Sequence, residues 1–532
     1  MRTSILSAAL LFAAAPSRAL ACGGMFCDAA APVDQAAERI FFFFEPDTDD
    51  DGLGLLTTEV QISYVGESDG FAWVVPVPAE PDIFLSNDAM FTAIANATTP
   101  VYSLITESSG SVQLGCASEN NMSGKADFDS AEEGGDGVSV VSSEAVGPYD
   151  TVVLQAENAD RLVTWLQDEG YAVPDGMEVV LAPYVAAGQY FVALKLQSDK
   201  DSGDIAPIAM TYPAAAASIP IQLTAVAAVD DMPIEVFVYG PSRAVPDNYL
   251  HVQINDAAIN WYTGADNYRE VVTSAVDEAG GQAFATDYSA PAGDLSFVLD
   301  LPSFDLDQMR GQPVPTTWLE LILFSGITAS TQLTNLMLEL VPPPDGVDPL
   351  DFLSCPSCYE VDATDWDPEV ATDRFEADVL DVMEGQQDRM AAASQLTRLF
   401  TTMDASEMTA DPVFVFNPKV TQDIAATRFA TSVERQAAFS GEAVSRTLTL
   451  ADGRAIVVPD ASDFDALTTL ATPAALVIED YSATGEPEAI ADFTDAAAAD
   501  AEAFNAGCSD TAAIGLPALL LAAGILRRRR AE

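Results

Sequence analysis

The pattern of apolar and polar positions predicts mostly β-structure in the first part of the chain. Residues 40–44 form a continuous apolar run, residues 59–65 alternate, and residues 71–77 are apolar throughout. Alternation indicates a strand with one buried face, and a short apolar run indicates a strand that is covered on both faces. Further segments predicted to be strands are 151–154, 190–196, 205–212, 220–229, 233–239 and 248–254.

Helical spacing interrupts these strands and becomes more frequent after residue 345. Helices are predicted over 87–95, over 267–279, and after Asn158, which is a good helix N-cap. Residues 386–403 also have helical spacing, and strands are predicted over 412–416 and 446–458. The fold class predicted is α+β: a β-rich, sandwich-like N-terminal domain with inserted helices, followed by a smaller mixed α/β C-terminal region.

Changes in composition give the predicted domain boundaries. We expect the β-rich domain over 22–345 and the mixed helix and strand region over 346–483. Residues 116–147 are rich in Ser, Gly, Asp and Glu and are predicted to be a flexible acidic loop. Residues 484–507 are rich in Ala, Asp and Glu and are predicted to be a stalk.

The N-terminus has the pattern of a secretory signal peptide over residues 1–21. Arg2 precedes a short apolar run over 5–15, and Ala19 and Ala21 supply the small residues before a cleavage point. Two processing routes fit: cleavage by signal peptidase I, or lipoprotein processing with a lipid on Cys22. Either route predicts an exported protein.

The C-terminus combines Cys508, an apolar segment over 511–526 and the run Arg527–Arg528–Arg529–Arg530. Sixteen helical residues reach about 24 Å, which is short of a hydrocarbon core about 30 Å thick. Four arginines stay on the cytoplasmic side of a membrane. The pattern therefore predicts a membrane anchor with the body outside, and the alternative is a terminal core helix.

Charge excludes one class of function. The chain has 82 Asp and Glu against 22 Lys and Arg, which gives a formal net charge of −60. Nucleic-acid binding requires clustered cations, so no nucleic-acid partner is expected. The acidic surface is interpreted as an adaptation to salty water, and a calcium-dependent surface is the alternative.

Disulfides are the default expectation for the six cysteines of an exported chain. Cys355 and Cys358 have the spacing of thiol oxidoreductases, but the acidic sequence after them does not favour a lowered thiol pKa. A local structural disulfide is favoured. The disulfide candidates are Cys22, Cys27, Cys355 and Cys358, and a zinc site built from the same four residues is an alternative.

Little catalytic or metal-binding chemistry stands out. His251 is the one histidine, and its alternating surroundings predict a structural strand residue. Asp47, Asp49 and Asp51 match the first half of a calcium loop, but Thr58 occupies the closing position that needs a glutamate. A solvated acidic hairpin tip is favoured over a Ca²⁺ site, and no other cofactor is predicted.

Two sets of residues resemble known families. Cys508 with the apolar segment and Arg527–Arg530 resembles the myxobacterial-type C-terminal sorting signals, in which the cysteine is the processing and lipid-attachment point. The body resembles the bacterial domain of unknown function 2330, which implies an exported envelope protein and no particular activity. The strings that carry this second resemblance are 22–27, 38–40, 60–64, 71–78, 165–171, 396–400 and 411–414.

Three hypotheses of function follow. The first is an exported protein, anchored to the cell envelope or cell surface through its C-terminus, with a non-catalytic structural or binding role. The second is an exported hydrolase that uses Asp and Glu, which needs a pocket holding two carboxylates, one with a raised pKa. The third is a calcium-assisted adhesion or scaffold protein. Apart from the membrane, no partner is predicted.

Overall fold

The computed structural model describes eleven stretches of the chain: 34–46, 52–65, 72–107, 138–171, 173–197, 205–226, 228–299, 301–436, 443–458, 473–481 and 485–507. The strands are β1 Asp34–Glu45, β2 Gly54–Val65, β3 Ala72–Val77, β4 Asp82–Leu85, β5 Val101–Glu107, β6 Val138–Val146, β7 Tyr149–Ala156, β8 Tyr190–Leu196, β9 Ile208–Ala214, β10 Ala217–Ser218, β11 Met232–Gly240, β12 Ala244–Pro246, β13 Leu250–Ile254, β14 Ala283–Pro291, β15 Gln395–Met403, β16 Val413–Phe416, β17 Thr427–Gln436, β18 Ala443–Thr449, β19 Ala455–Val458, β20 Ala475–Asp480 and β21 Glu488–Asp492.

The α-helices are most frequent in the middle of the chain, between β14 and β15, and the longest is the last one. They are α1 Asp88–Thr98, α2 Ala159–Asp168, α3 Met177–Ala186, α4 Ile221–Thr224, α5 Tyr268–Glu278, α6 Leu306–Arg310, α7 Pro315–Leu323, α8 Thr331–Leu340, α9 Pro349–Ser354, α10 Pro368–Phe375, α11 Asp381–Ala392 and α12 Thr494–Gly507. Short 3₁₀ turns cover 256–258, 292–299 and 356–358, and a π-helical turn covers 376–380.

A ten-stranded mixed sheet organises the molecule, in the order β21-β20-β13-β14-β15-β11-β1-β2-β9-β4. Strand β1 lies inside it, parallel to β11 and antiparallel to β2. Its apolar run is buried on both faces of the sheet. Ile40 and Phe42 pack into one core, and Phe41 and Phe43 pack into another. This is why the run shows no alternation in the sequence.

A four-stranded sheet, β3-β8-β7-β6, packs on one face of the ten-stranded sheet. Trp73 and Val75 of β3 share a core with Ile40 and Phe42 of β1. Every residue of β3 is buried, as its apolar run predicts. Helices α2 and α3 cover the other face of this sheet. The predicted α+β class, with a sandwich-like N-terminal part and inserted helices, is confirmed.

Two further units complete the described structure. Helices α6 to α10 pack around Trp318, Phe352 and Phe375. A second four-stranded sheet, β19-β18-β17-β5, covers α5 and the end of the large sheet. The large sheet takes strands from both sides of residue 345, since β15 lies between β11 and β14.

Three predicted segments differ from the structure. Residues 221–224 form the short helix α4, capped by Pro220, rather than a strand. The apolar residues Ile221 and Leu223 are both buried, and their spacing of two is the same as that of a strand. Residues 395–403 form β15 rather than a helix, because a strand buried on both faces has no period. Residues 138–146, at the end of the predicted acidic loop, form β6 and pair with β7; residues 108–137 lie outside the described residues.

The predicted stalk over 484–507 is instead packed on the body where the structure describes it. Strand β21 pairs with β20 at the edge of the large sheet. Helix α12 packs against β19 and β20, and its Ala497 and Ala501 are 3% and 7% exposed. Small alanine side chains allow this close helix packing. In the sequence, the same alanines contribute only to the Ala-rich composition from which a stalk is predicted.

Candidate functional site

A buried polar cluster surrounds His251, at the place where three strands of the large sheet meet. Strand β13 carries His251 and pairs with β14 on one side and β20 on the other. His251 Nε2 lies 2.9 Å from Thr286 Oγ1, and Nδ1 lies 3.1 Å from Glu479 Oε2. The three side chains are 4%, 9% and 8% exposed. The cluster therefore joins three strands by side chains as well as by backbone hydrogen bonds.

The environment fixes the proton positions in this cluster. Burial lowers the pKa of His251, although the hydrogen bond to Glu479 acts in the opposite direction. Burial acts to raise the pKa of Glu479, but its hydrogen bonds outweigh burial and leave that pKa below the ordinary value. An ionised carboxylate only accepts, so His251 Nδ1 donates to Glu479 and Nε2 accepts from the Thr286 hydroxyl.

Two more side chains enclose the pair. The Tyr481 hydroxyl donates to Glu479 Oε2 at 3.1 Å, and its ring meets the His251 ring edge-on at 4.9 Å. Arg243 is 6% exposed, and its Nε finds no hydrogen-bond acceptor among the described residues. Burial lowers the pKa of Arg243, and the nearby Tyr481 and Glu479 partly offset this.

The order hydroxyl, imidazole, carboxylate is also the order of a nucleophile, a general base and an orienting group. A nucleophile of this kind must meet a substrate carbonyl. Thr286 is 9% exposed and lies within the sheet, so its hydroxyl is committed to His251. We therefore interpret the cluster as structural: its hydrogen bonds hold β20 against β13 and β14. Strand β20 is the strand that leads towards the C-terminus.

A second buried cluster surrounds Asp287, at a β-bulge in β14. The carboxylate accepts a hydrogen bond from the Tyr268 hydroxyl, and Arg398 Nε lies 3.3 Å from its Oδ2. Arg398 also lies 3.5 Å from Glu235, which pairs with Arg39. Burial raises the pKa of Asp287 to about 6, even though Arg398 acts to lower it.

A third cluster ties the large sheet to helix α11. Glu59 of β2 is fully buried and accepts hydrogen bonds from Arg389 at 2.6 Å, from Gln386 at 2.9 Å and from the Ser86 hydroxyl. Neither this cluster nor the one at Asp287 is predicted from the sequence. The available signal was a charged residue inside an apolar or alternating strand segment, as at Glu59 and Arg398.

The sequence-predicted site residues fall mostly outside the described residues. These are Asp47, Asp49, Asp51, Cys22, Cys27, Cys508, Arg527, Arg528, Arg529 and Arg530. Cys355 and Cys358 are joined by a disulfide beside α9. Within the described stretches, no group of three or more His, Cys, Asp or Glu could hold a metal ion, and no helix is long and apolar enough to cross a membrane.

The hydrolase hypothesis needs two carboxylates in one pocket. The surface depression at Ser303–Asp307 holds Asp305 and Asp307, but it is open to solvent and Asp305 caps α6 through Gln308 N. The carboxyl group whose pKa is raised to about 6, Asp287, is enclosed by the sheet and by Arg398 instead. Neither this depression nor the surroundings of Asp287 therefore supplies, among the described residues, the paired carboxylates that the hypothesis needs.

Comparison with known proteins adds a family. The model of domain of unknown function 2330, described as uncharacterized proteins conserved in bacteria, matches residues 16–296. The chain belongs to this family. The match runs from before β1 to the turn after β14, so it includes His251, Thr286 and Asp287 but not Glu479 or Arg398. No curated protein and no solved structure matches the chain.

Proposed function

We propose that this member of the family is exported, is anchored to the cell envelope through its C-terminus, and has a non-catalytic structural or binding role. The observation that carries the proposal is the course of the C-terminal segment. Strand β20, strand β21 and helix α12 are packed on the body, and α12 leads directly to Cys508. The apolar segment 511–526 and the four arginines at 527–530 come next in the sequence.

Two properties of the body support this role. The Cys355–Cys358 disulfide suits the oxidising environment outside the cytoplasm. The three buried polar clusters each join elements that are far apart in the sequence, and each carboxylate in them has a basic or hydroxyl partner. Such clusters tie distant parts of the chain together in one arrangement, which suits a surface scaffold or binding protein.

Protease treatment of intact cells tests the proposal. The full chain is expected in the membrane fraction and to be degraded when protease is added outside. A variant that lacks residues 508–532 is expected to be exported and released. A second variant replaces only Arg527–Arg530 with Ala. Its leader is expected to be removed as in the wild type, so a change in its membrane retention reports on the tail alone. Protection of the wild-type chain in the soluble cytoplasmic fraction would contradict the proposal.

A further inference from the structure

Two arginines that are buried in the described structure have very different surroundings. Arg398 is 4% exposed and Arg243 is 6% exposed. The Arg398 guanidinium donates to Ala95 O at 3.1 Å and forms ion pairs with Glu235 and Asp287. The Arg243 guanidinium has no hydrogen bond and no ion pair to any described residue, and its Nε is shielded from solvent. The described chain therefore leaves the N–H groups of this buried cation unsatisfied.

A buried guanidinium that lacks acceptors lowers the stability of the folded protein. Arginine stays protonated in proteins, so it does not escape this cost by losing its proton. Burying a charge is costly unless the charge is paired and hydrogen-bonded. Groups that reduce stability in this way are concentrated at functional sites, where a ligand supplies the missing contacts. Arg243 therefore points to a ligand that brings hydrogen-bond acceptors.

The backbone around Arg243 is held by buried partners. Arg243 O accepts a hydrogen bond from Asn417 N at 2.9 Å, and Ala244 N donates to Thr397 Oγ1 at 3.0 Å. Asn417 and Thr397 are fully buried. The unsatisfied side chain therefore belongs to an ordered part of the body and not to a free loop.

The nearby charge of Glu479 does not satisfy the guanidinium. Glu479 and Tyr481 act on Arg243 electrostatically, but neither accepts a hydrogen bond from it. Oε2 of Glu479 already accepts hydrogen bonds from His251 Nδ1 and from the Tyr481 hydroxyl. Glu479 therefore reduces the electrostatic cost of the cation and leaves its N–H groups available.

The chemistry of the place favours a carboxylate as the ligand. A planar guanidinium presents parallel N–H groups that match the two oxygens of a carboxylate. A singly charged carboxylate suits the place better than a doubly charged phosphate, because Glu479 repels each added negative charge. Only 6% of Arg243 is exposed, so a ligand reaches it with one small group. A short aliphatic acid has these properties.

We propose that Arg243 binds the carboxylate of a short aliphatic acid, beside Tyr481 and Glu479 and just after the end of β20. Two N–H groups of the guanidinium donate to the two carboxylate oxygens. The site rests on the binding role proposed above and specifies its ligand, but it does not depend on the C-terminal anchor. A bound carboxylate pairs the buried cation, so binding also stabilises the folded protein.

The test measures the affinity of the full chain for acetate, in detergent at pH 7.5, by saturation-transfer NMR of the acetate methyl group. Arg243→Met removes the guanidinium, and Arg243→Lys keeps a cation without the planar set of donors. The control, Arg374→Met, changes an arginine whose side chain is 40% exposed. Acetamide, which has the shape of acetate without its charge, and phosphate are the comparison ligands. Sodium chloride keeps the ionic strength constant.

The affinity for acetate is expected to fall at least about tenfold in Arg243→Met, because two hydrogen bonds to a charged group are lost. Arg243→Lys is expected to have an intermediate affinity, and Arg374→Met the affinity of the wild type. Acetamide and phosphate are expected to bind more weakly than acetate. In chloride alone, Arg243→Met is expected to unfold at a urea concentration no lower than the wild type, because an unpaired buried charge has been removed.

Three outcomes would overturn the site. Equal affinity for acetate in the wild type and in Arg243→Met would place the binding elsewhere. A lower urea midpoint for Arg243→Met than for the wild type in chloride would show that the guanidinium is already satisfied within the folded protein. Tighter binding of phosphate than of acetate would overturn the choice of a carboxylate.

The same measurement separates this site from the proposed anchor. A wild-type chain that is found in the membrane fraction but does not bind acetate would overturn the site and leave the anchor intact. A chain that binds acetate through Arg243 but is found in the cytoplasmic fraction would support the site and contradict the anchor.

Discussion

At the residue scale, His251 links pH to stability. It is the one histidine in the chain, so no other histidine contributes to the pH dependence of unfolding near pH 6.5. Burial lowers its pKa in the folded state below the ordinary value of 6.5. The folded protein therefore binds fewer protons than the unfolded chain as the pH falls below 6.5. The contribution of His251 to stability is present above that pH and is lost as the pH decreases.

The His251→Asn variant tests this linkage. At pH 7.5 we expect the free energy of unfolding to fall by about 1–3 kcal/mol, because Thr286 and Glu479 lose a buried partner. Between pH 6.5 and 5 the variant is expected to lose less further stability than the wild type. Urea unfolding at several pH values measures both effects. Thr286→Val is the control, since it removes one hydrogen bond but keeps the imidazole; an unchanged pH slope in His251→Asn would contradict the account.

Asp287 is expected to give a pH dependence of the opposite sign. Its pKa is about 6 in the folded state against 3.8 for an ordinary aspartate. The folded state binds this proton more tightly, so the associated stability is full below pH 3.8 and is lost as the pH rises through 6. At about 1.4 kcal/mol for each pKa unit, the loss is on the order of 3 kcal/mol. The Asp287→Asn variant should lack this loss, and the exposed control Asp294→Asn should retain it; equal pH profiles for the two variants would be evidence against a shifted Asp287.

At the element scale, the Glu59 cluster holds β2 of the large sheet to helix α11. Removing one partner of a buried ion pair leaves an uncompensated charge, which is more costly than removing both. Arg389 is 16% exposed and Glu59 is fully buried, so this pair is well shielded from solvent. The comparison pair Arg374–Glu339 is 40% and 50% exposed.

The Arg389→Met variant is expected to lose about 3–5 kcal/mol of unfolding free energy. The double variant Glu59→Gln/Arg389→Met should recover part of that loss, because no buried charge remains. The same substitution at the exposed pair, Arg374→Met, should cost about 0–1 kcal/mol. Denaturant unfolding of the wild type and the three variants measures these losses. A double variant that is less stable than Arg389→Met would show that the charge is not the reason for the loss.

Helix α12 is the last described element before the proposed anchor. Ala501 is buried against the sheet, whereas Ala499 on the same helix is exposed. The Ala501→Glu variant should release α12, because burying a carboxylate in the apolar core around Ala501 is costly. Hydrogen exchange over residues 494–507 should become fast in this variant and stay slow in Ala499→Glu. Slow exchange in both variants would contradict the packed position of α12.

Sequence pattern predicted the elements whose signal is local. Strand β3 follows its apolar run, and Asn158 accepts a hydrogen bond from Arg161 N at the start of α2, as its capping role requires. The long-range clusters could not be predicted in this way. Arg389 and Glu59 are 330 residues apart, and His251 and Glu479 are 228 apart, so only the sheet order brings them together. The prediction was wrong at 395–403 because a strand that is buried on both faces shows no alternation. It was wrong at 221–224 because a helix of four residues is too short to show helical spacing.

At the scale of the whole molecule, a net charge of −60 makes self-repulsion a general term in stability. Salt screens this repulsion, because the Debye length falls from about 10 Å at 0.1 M to about 3 Å at 1 M. The melting temperature is therefore expected to rise with sodium chloride. Calcium chloride at the same ionic strength separates screening from a specific site. A melting temperature that falls with sodium chloride would contradict the screening interpretation, and a much larger rise with calcium would favour the calcium-assisted alternative.

The central claim is that the acidic body is exported and held at the membrane by its own C-terminal segment. The intact mass of the native protein, purified from the membrane fraction without reducing agent, tests this most directly. The account predicts a mass that lacks residues 1–21 and is two hydrogens lighter for the Cys355–Cys358 disulfide, and any attached lipid would appear as added mass. A mass that still includes residues 1–21, with all six cysteines reduced, from a chain recovered in the cytoplasmic fraction would contradict it.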